Sequence, residues 1–158
     1  MSEIRIIKCN FDDTAHTEAL VDLMNHYIND NMGGGDPIHG NQKEKLIEGL
    51  RDLPTSLVLL AKENGQIVGL CNSFISFATF TVKKFINIHD IVVLNDHRGK
   101  GIGKRLMEAV IRFAKEIECS KVTLEVREDN IIAQELYKSL GFDDCSPRMY
   151  YWTKMLNQ

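Results

Sequence analysis

A run rich in isoleucine and valine, Phe85 to Leu94, feeds straight into His97-Arg98-Gly99-Lys100-Gly101-Ile102-Gly103, and an amphipathic segment follows at once. From Gly101 to about Glu118 the apolar set Ile102, Leu106, Val110, Phe113 and Ile117 keeps the helical period, while Lys104, Arg105, Glu108, Arg112 and Lys115 take the other face. A strand, a tight glycine turn and a helix in that order demand a sheet with a helix packed on it, so the chain is read as α/β. The same arrangement points several unpaired backbone N–H groups and the positive end of a helix dipole at one spot, where phosphate would bind. Gly99, Gly101 and Gly103 remove side chains that would hold an anion away, and Arg98, Lys100 and Lys104 add positive charge. Two better-known phosphate loops fail on spacing. Gly103-Lys104 is followed by Arg105 rather than Ser or Thr, and Leu106 stands where a dinucleotide fingerprint needs a small residue.

The remaining pattern supplies the rest of a single domain spanning residues 1–158. Ile4 to Lys8 read as a first strand, and Asp12-Asp13-Thr14 offer caps for a helix to about Ile28 with Leu20, Val21, Met24 and Ile28 on one stripe. The glycine-rich stretch 29–37 reads as a loop. Asn41 with Glu44 suggests a capping box for a second helix that Pro54 ends. Leu57–Lys62 and Ile67–Phe77 flank Asn64-Gly65, a type I′ hairpin signal. Val122, Leu124 and Val126 alternate as a strand, Asn130 to Leu140 reads as a short helix stopped by Gly141, and Tyr150–Met155 is expected to close the sheet. The expectation is a mixed, mostly antiparallel sheet of about six to seven strands flanked by about four helices.

Several function classes are disfavoured. With 19 basic and 22 acidic residues and a net charge of -3, the chain lacks the basic field that nucleic acid requires. No apolar run approaches the ~18 residues that span a bilayer, and the first residues lack the apolar core of a signal peptide. Cys9, Cys71, Cys119 and Cys145 are scattered, and His16, His26, His39 and His97 show no ligand spacing, so no metal is expected. A cytoplasmic protein is expected.

Arg98-Gly99-Lys100-Gly101-Ile102-Gly103 resembles the pyrophosphate-binding motif of the GNAT family of N-acetyltransferases, and the order of elements over most of the chain is similar to that fold. Leu124-Glu125-Val126 followed by Asn130, Ala133, Tyr137 and Gly141-Phe142 resembles the family's other recurrent block. The resemblance implies direct transfer of the acetyl group of acetyl-coenzyme A to a primary amine of a small molecule or peptide. The alternative is a non-catalytic acyl-coenzyme A sensor. It further implies that Asn130 bonds the pantetheine arm, that Ala133 lets it pass, that the backbone of Ile91, Val92 and Val93 lines it, and that Tyr137 stands near the sulfur as general acid. His89 and Asp90 are the candidates for accepting the amine's proton, and on a regular strand they face opposite sides. Ile88-His89-Asp90-Ile91 is locally similar to polyamine acetyltransferases, which carry an acidic pair there. By the same fold resemblance Tyr27, Asp30, Asp36 and the Gly33–Gly35 loop line the acceptor cleft and a homodimer is expected, while the negative charges of Asp30, Asp36, Asp90 and Glu125 point to a cationic acceptor.

Overall fold

The computed structural model describes residues 2–157, and the chain divides into two compact units after Arg127. The first holds a five-stranded sheet in the order β1 (Ile4–Lys8), β2 (Ser56–Glu63), β3 (Gln66–Ala78), β4 (Lys83–Val93) and β5 (Val122–Leu124). Neighbours from β1 to β4 run antiparallel, whereas β4 and β5 are parallel. A parallel pair needs a crossover, and helix α3 (Ile102–Glu116) supplies it. Helices α1 (Thr14–Ile28) and α2 (Asn41–Asp52) precede the β2–β3 hairpin.

Alternation along the strands decides which helix lies where. Leu70 and Val92 join Val58 and Leu60 in a cluster with Leu20 and Leu23 of α1 and Leu50 of α2. Full burial stabilises each such leucine by roughly 1.5–3 kcal/mol. The neighbouring Gly69 faces the other way, where an added Cβ would lie 3.2 Å from Ile102 and 3.3 Å from Leu106 of α3. The sheet is therefore sandwiched between α1 with α2 on one face and α3 on the other. Among the described residues no helix is long and apolar enough to cross a membrane.

Local signals largely act as expected. Asp13 caps α1 by accepting from the Ala15 N–H at 2.9 Å, and Asn64 and Gly65 both take positive φ at the hairpin turn, 50° and 87°. Three expectations are corrected. Asn41 is already helical, Gly40 is the N-cap without a side-chain bond, and it is Gln42 that reaches back to accept from the His39 N–H at 3.3 Å. The expected Asn41–Glu44 capping box is therefore not formed, and the helix begins one residue earlier than that pair would set it. Val126 lies outside β5, which ends at Leu124. The expected strand Tyr150–Met155 has no regular structure, and the sheet accordingly has five strands rather than six or seven. High β-propensity does not make a strand without a partner, and among the described residues the second unit contains no strand.

That second unit is built on α4 (Ile131–Ser139). Asn130 caps it, accepting from the Ala133 N–H at 3.2 Å. Gly141 at φ 90° ends it, and the Phe142 N–H returns to the Tyr137 carbonyl at 3.1 Å. Tyr137 is buried and its ring lies 6.1 Å from that of Phe142.

Candidate functional site

The turn after β4 is built to leave amides free. A single 3-10 turn, Asn95–His97, carries the chain off the sheet, after which Gly99 and Gly101 adopt φ of 77° and 79°. Gly101 is the N-cap of α3 and has no side chain to close the helix end. The first intrahelical bond runs from the Arg105 N–H to the Gly101 carbonyl at 3.0 Å, and the N–H groups from Gly99 to Lys104 find no acceptor among the described residues. A Cβ at Gly99 or Gly101 would meet nothing within 4 Å. The turn is thus open on its outer side, and its glycines are required for the left-handed backbone. Unpaired amides at a helix N-terminus favour an anion.

Two acids hold this turn from beneath. Glu63, at the end of β2 and only 4% exposed, accepts from Lys100 Nζ at 3.1 Å and 3.2 Å and is bonded to His97 Nδ1. Those bonds, the one to His97 foremost, lower its carboxyl to about 2. On the other side Arg98 donates from Nε to the Val93 carbonyl at 2.9 Å and from Nη2 to Asp30 Oδ2 at 3.1 Å. Lys104 lies 4.0 Å from Glu108 on the exposed face of α3, and Ile102 is buried beneath it. Glu63 was not foreseen. Its only sequence signal is an acid at the end of a strand of core residues, just before the turn dipeptide.

The second grouping lies on β4, and it corrects the expected geometry. Asn72 of β3 pairs with Asp90, but Ser73 pairs with Ile88, so His89 is an extra residue in a β-bulge. The bulge turns His89 and Asp90 to the same face rather than to opposite ones. His89 packs edge-on against Phe74, with ring centroids 4.6 Å apart, while Asp90 Oδ2 accepts from Asn72 Nδ2 at 3.1 Å. Phe74 and Asn72 are two residues apart on one strand and share a face. It is the face of α1, because Asn72 also touches Met24 Sδ. From that helix Tyr27 completes the group, its phenol raised by burial and then by the charge of Asp90. The parallel ladder to β5 ends at Ile88, leaving Ile91 to Val93 with no β5 neighbour.

The other expected acceptor residues are placed differently. Asp30 is engaged through both carboxylate oxygens, one on Arg98 and one accepting from the Met32 N–H at 3.0 Å. Asp36 stands exposed in the 29–37 loop, and Glu125 is exposed just beyond β5. No cluster of three or more potential metal ligands occurs among the described residues. All four cysteines are free thiols. Burial raises Cys71 to about 12 and Cys9 to about 11, and it raises Cys119 as well. Cys145 is exposed.

Comparison with known proteins connects these features. The profile of the acetyltransferase (GNAT) family matches residues 20–142. The uncharacterized N-acetyltransferase YhfO of Bacillus subtilis is 28% identical over 61% of this chain and 64% of its own length, just under two thirds. A putative [ribosomal protein bS18]-alanine N-acetyltransferase of the same organism is 28% identical over 70% of each chain. Among solved structures, a probable acetyltransferase superimposes with a TM-score of 0.81 at 22% identity, covering 98% of this chain and 99% of that one. An aminoglycoside N-acetyltransferase in complex with CoA gives 0.76 at 19% identity over 98% and 97%.

Proposed function

The chain belongs to the acetyltransferase (GNAT) family, and on that premise we propose that it is an N-acetyltransferase carrying the acetyl group of acetyl-coenzyme A directly to a primary amine of a small molecule or peptide. The observation that carries this reading is the open glycine turn, whose N–H groups from Gly99 to Lys104 lack acceptors at the positive end of α3. A pyrophosphate has the charge and the acceptor oxygens such a turn takes. The residues present therefore fit the co-substrate, which supplies an acyl group activated as a thioester. By resemblance, Asn130 bonds the pantetheine arm, Ala133 gives it room, and Ile91, Val92 and Val93 offer it a strand edge. The matched profile runs through Arg127 into both units, which supports treating residues 1–158 as one catalytic domain.

The chain's own residues must then manage two protons. An alkyl ammonium with pKa near 10.4 costs roughly 4–5 kcal/mol to deprotonate at pH 7 unless the site assists. His89 and Asp90 take up this role on the α1 face, with Asp90 held by Asn72 and neighbouring Tyr27. Tyr137 returns a proton from its phenol to the departing sulfur. Its position between Asn130 and Gly141-Phe142 supports that assignment. Tyr27 and Asp90 suit an acceptor that arrives as a cation, and Asp36 and Glu125 are further acceptor contacts. One relative is a putative [ribosomal protein bS18]-alanine N-acetyltransferase, whose acceptor is also an amine.

The free thiols support a reducing, cytoplasmic setting. A homodimer would cover the C-terminal apolar residues Met149 to Trp152, of which Tyr150 and Trp152 are each 86% exposed. Light scattering on the purified chain checks that point.

Release of free thiol from acetyl-coenzyme A with a panel of amines, beside calorimetric binding of coenzyme A, tests the activity. Turnover with an amine is expected. Binding without turnover would favour the acyl-coenzyme A sensor, and no binding would overturn the assignment of the glycine turn.

A further inference from the structure

Asp30 and Arg98 are 68 residues apart in sequence, yet they join three segments that the proposed reaction needs together. Asp30 sits in a tight turn at the end of α1. Its own N–H donates to the Tyr27 carbonyl at 3.0 Å, its carbonyl accepts from the Gly33 N–H at 2.9 Å, and its Oδ1 accepts from the Met32 N–H at 3.0 Å. The turn is so compact that a Cβ on Gly33 would lie 1.8 Å from the Tyr27 oxygen. Oδ2 is the only carboxylate oxygen left over, and it is spent on Arg98. Arg98 in turn grips the carbonyl of Val93, the last residue of β4, and its backbone opens the glycine turn. An arginine fork fixed at two points transmits position, as a single mobile charge does not.

We infer that Asp30 is a positioning residue for cofactor binding: through Arg98 it ties the turn ending α1 to the end of β4 and to the glycine turn, so that the acceptor loop and the phosphate-binding turn are held as one body. The inference rests on the acetyltransferase reading for its ligand, but the tie itself is a property of the unliganded chain. It assigns Asp30 a role that acts through Arg98 rather than by touching the acceptor amine. It also assigns the Arg98 side chain to bracing, with the neighbouring backbone amides left to meet the anion.

The test uses Asp30→Asn, Arg98→Gln and the double variant of the full chain. Asparagine keeps an oxygen for the Met32 N–H and removes only the ion pair, so the turn retains its cap. Each single variant is expected to weaken calorimetric binding of coenzyme A by about fivefold, the scale of a partly exposed pair, and the double variant to lose no more than the worse single. Amide hydrogen exchange at Met32 and Gly33 is expected to speed up in Arg98→Gln without ligand. Three results overturn the inference: Asp30→Asn raising only the KM of the acceptor, Asp30→Asn tightening coenzyme A binding because a competitor for Arg98 has gone, or additive losses in the double variant. If the parent chain binds no coenzyme A, the acetyltransferase reading fails. The exchange measurement then decides the tie alone: unchanged protection at Met32 and Gly33 rejects it, and faster exchange upholds it.

Discussion

The two halves of β4 belong to one strand and live in different surroundings. From Lys83 to Ile88 the strand pairs with β3, and its Ile86–Ile88 segment also pairs with β5, with Ile86 0% and Ile88 4% exposed. From His89 to Val93 it pairs with β3 alone, opens with a bulge, and carries a histidine and a carboxylate on one face. Within the first half, Ile86–Ile88 is paired on both sides, and its two isoleucine side chains are buried. The second keeps unspent polar groups because the sheet has stopped around it, and it delivers the chain to the glycine turn. On the proposed function, stability and chemistry are divided along one strand by where the β5 ladder ends.

That division is most strongly challenged in the buried half. Ile86→Ala is expected to lower unfolding free energy by about 2–5 kcal/mol, read by denaturant titration, with coenzyme A affinity of the folded fraction unchanged. A loss of affinity as large as the loss of stability would erase the distinction. In the bulged half, Asp90→Asn is expected to reduce kcat/KM for the amine on the order of 100-fold, with the denaturation midpoint barely moved. Past the end of the strand, Gly101→Val forces a β-branched residue into φ 79° at the mouth of the cradle. Coenzyme A affinity is expected to fall about tenfold in calorimetry, from strain and loss of approach together. The smallest effect is sought at Glu63. Its folded carboxyl lies at about 2 against the ordinary 4.5, so its contribution to stability is present above the unfolded value and is lost as pH falls towards about 2. Glu63→Gln is expected to flatten that part of the stability–pH curve between pH 4.5 and 2, measured by thermal unfolding, and an unaltered slope would assign the acid sensitivity to other groups.

What could be read without coordinates was whatever repeats or turns locally. The period of α3, the Asn64-Gly65 hairpin and the glycine turn were legible because each is written within a few residues of itself. The bulge was not, although the alternation of Ile86-Asn87-Ile88-His89 loses its phase at Asp90, because two polar residues in a row do not by themselves say which one is extra, and that shows only in the pairing with Asn72 and Ser73. Glu63 with Lys100 and Asp30 with Arg98 are contacts across 37 and 68 residues, and neither partner carries a local sign of the other. Tyr150–Met155 failed in the opposite sense. Its composition suits a strand, but a strand is a relation between two segments, and nothing in the local sequence names the second.

The cysteines bear on how this protein is best handled at the bench. Three of the four thiols are held above their ordinary range by burial, two of them at about 11 and 12, and it is the thiolate that attacks a thiol reagent. Cys145 alone is exposed, so a chromogenic thiol reagent should register one fast equivalent per chain before any coenzyme A is released. A fluorophore placed there would mark the C-terminal segment in every molecule at a single, known position.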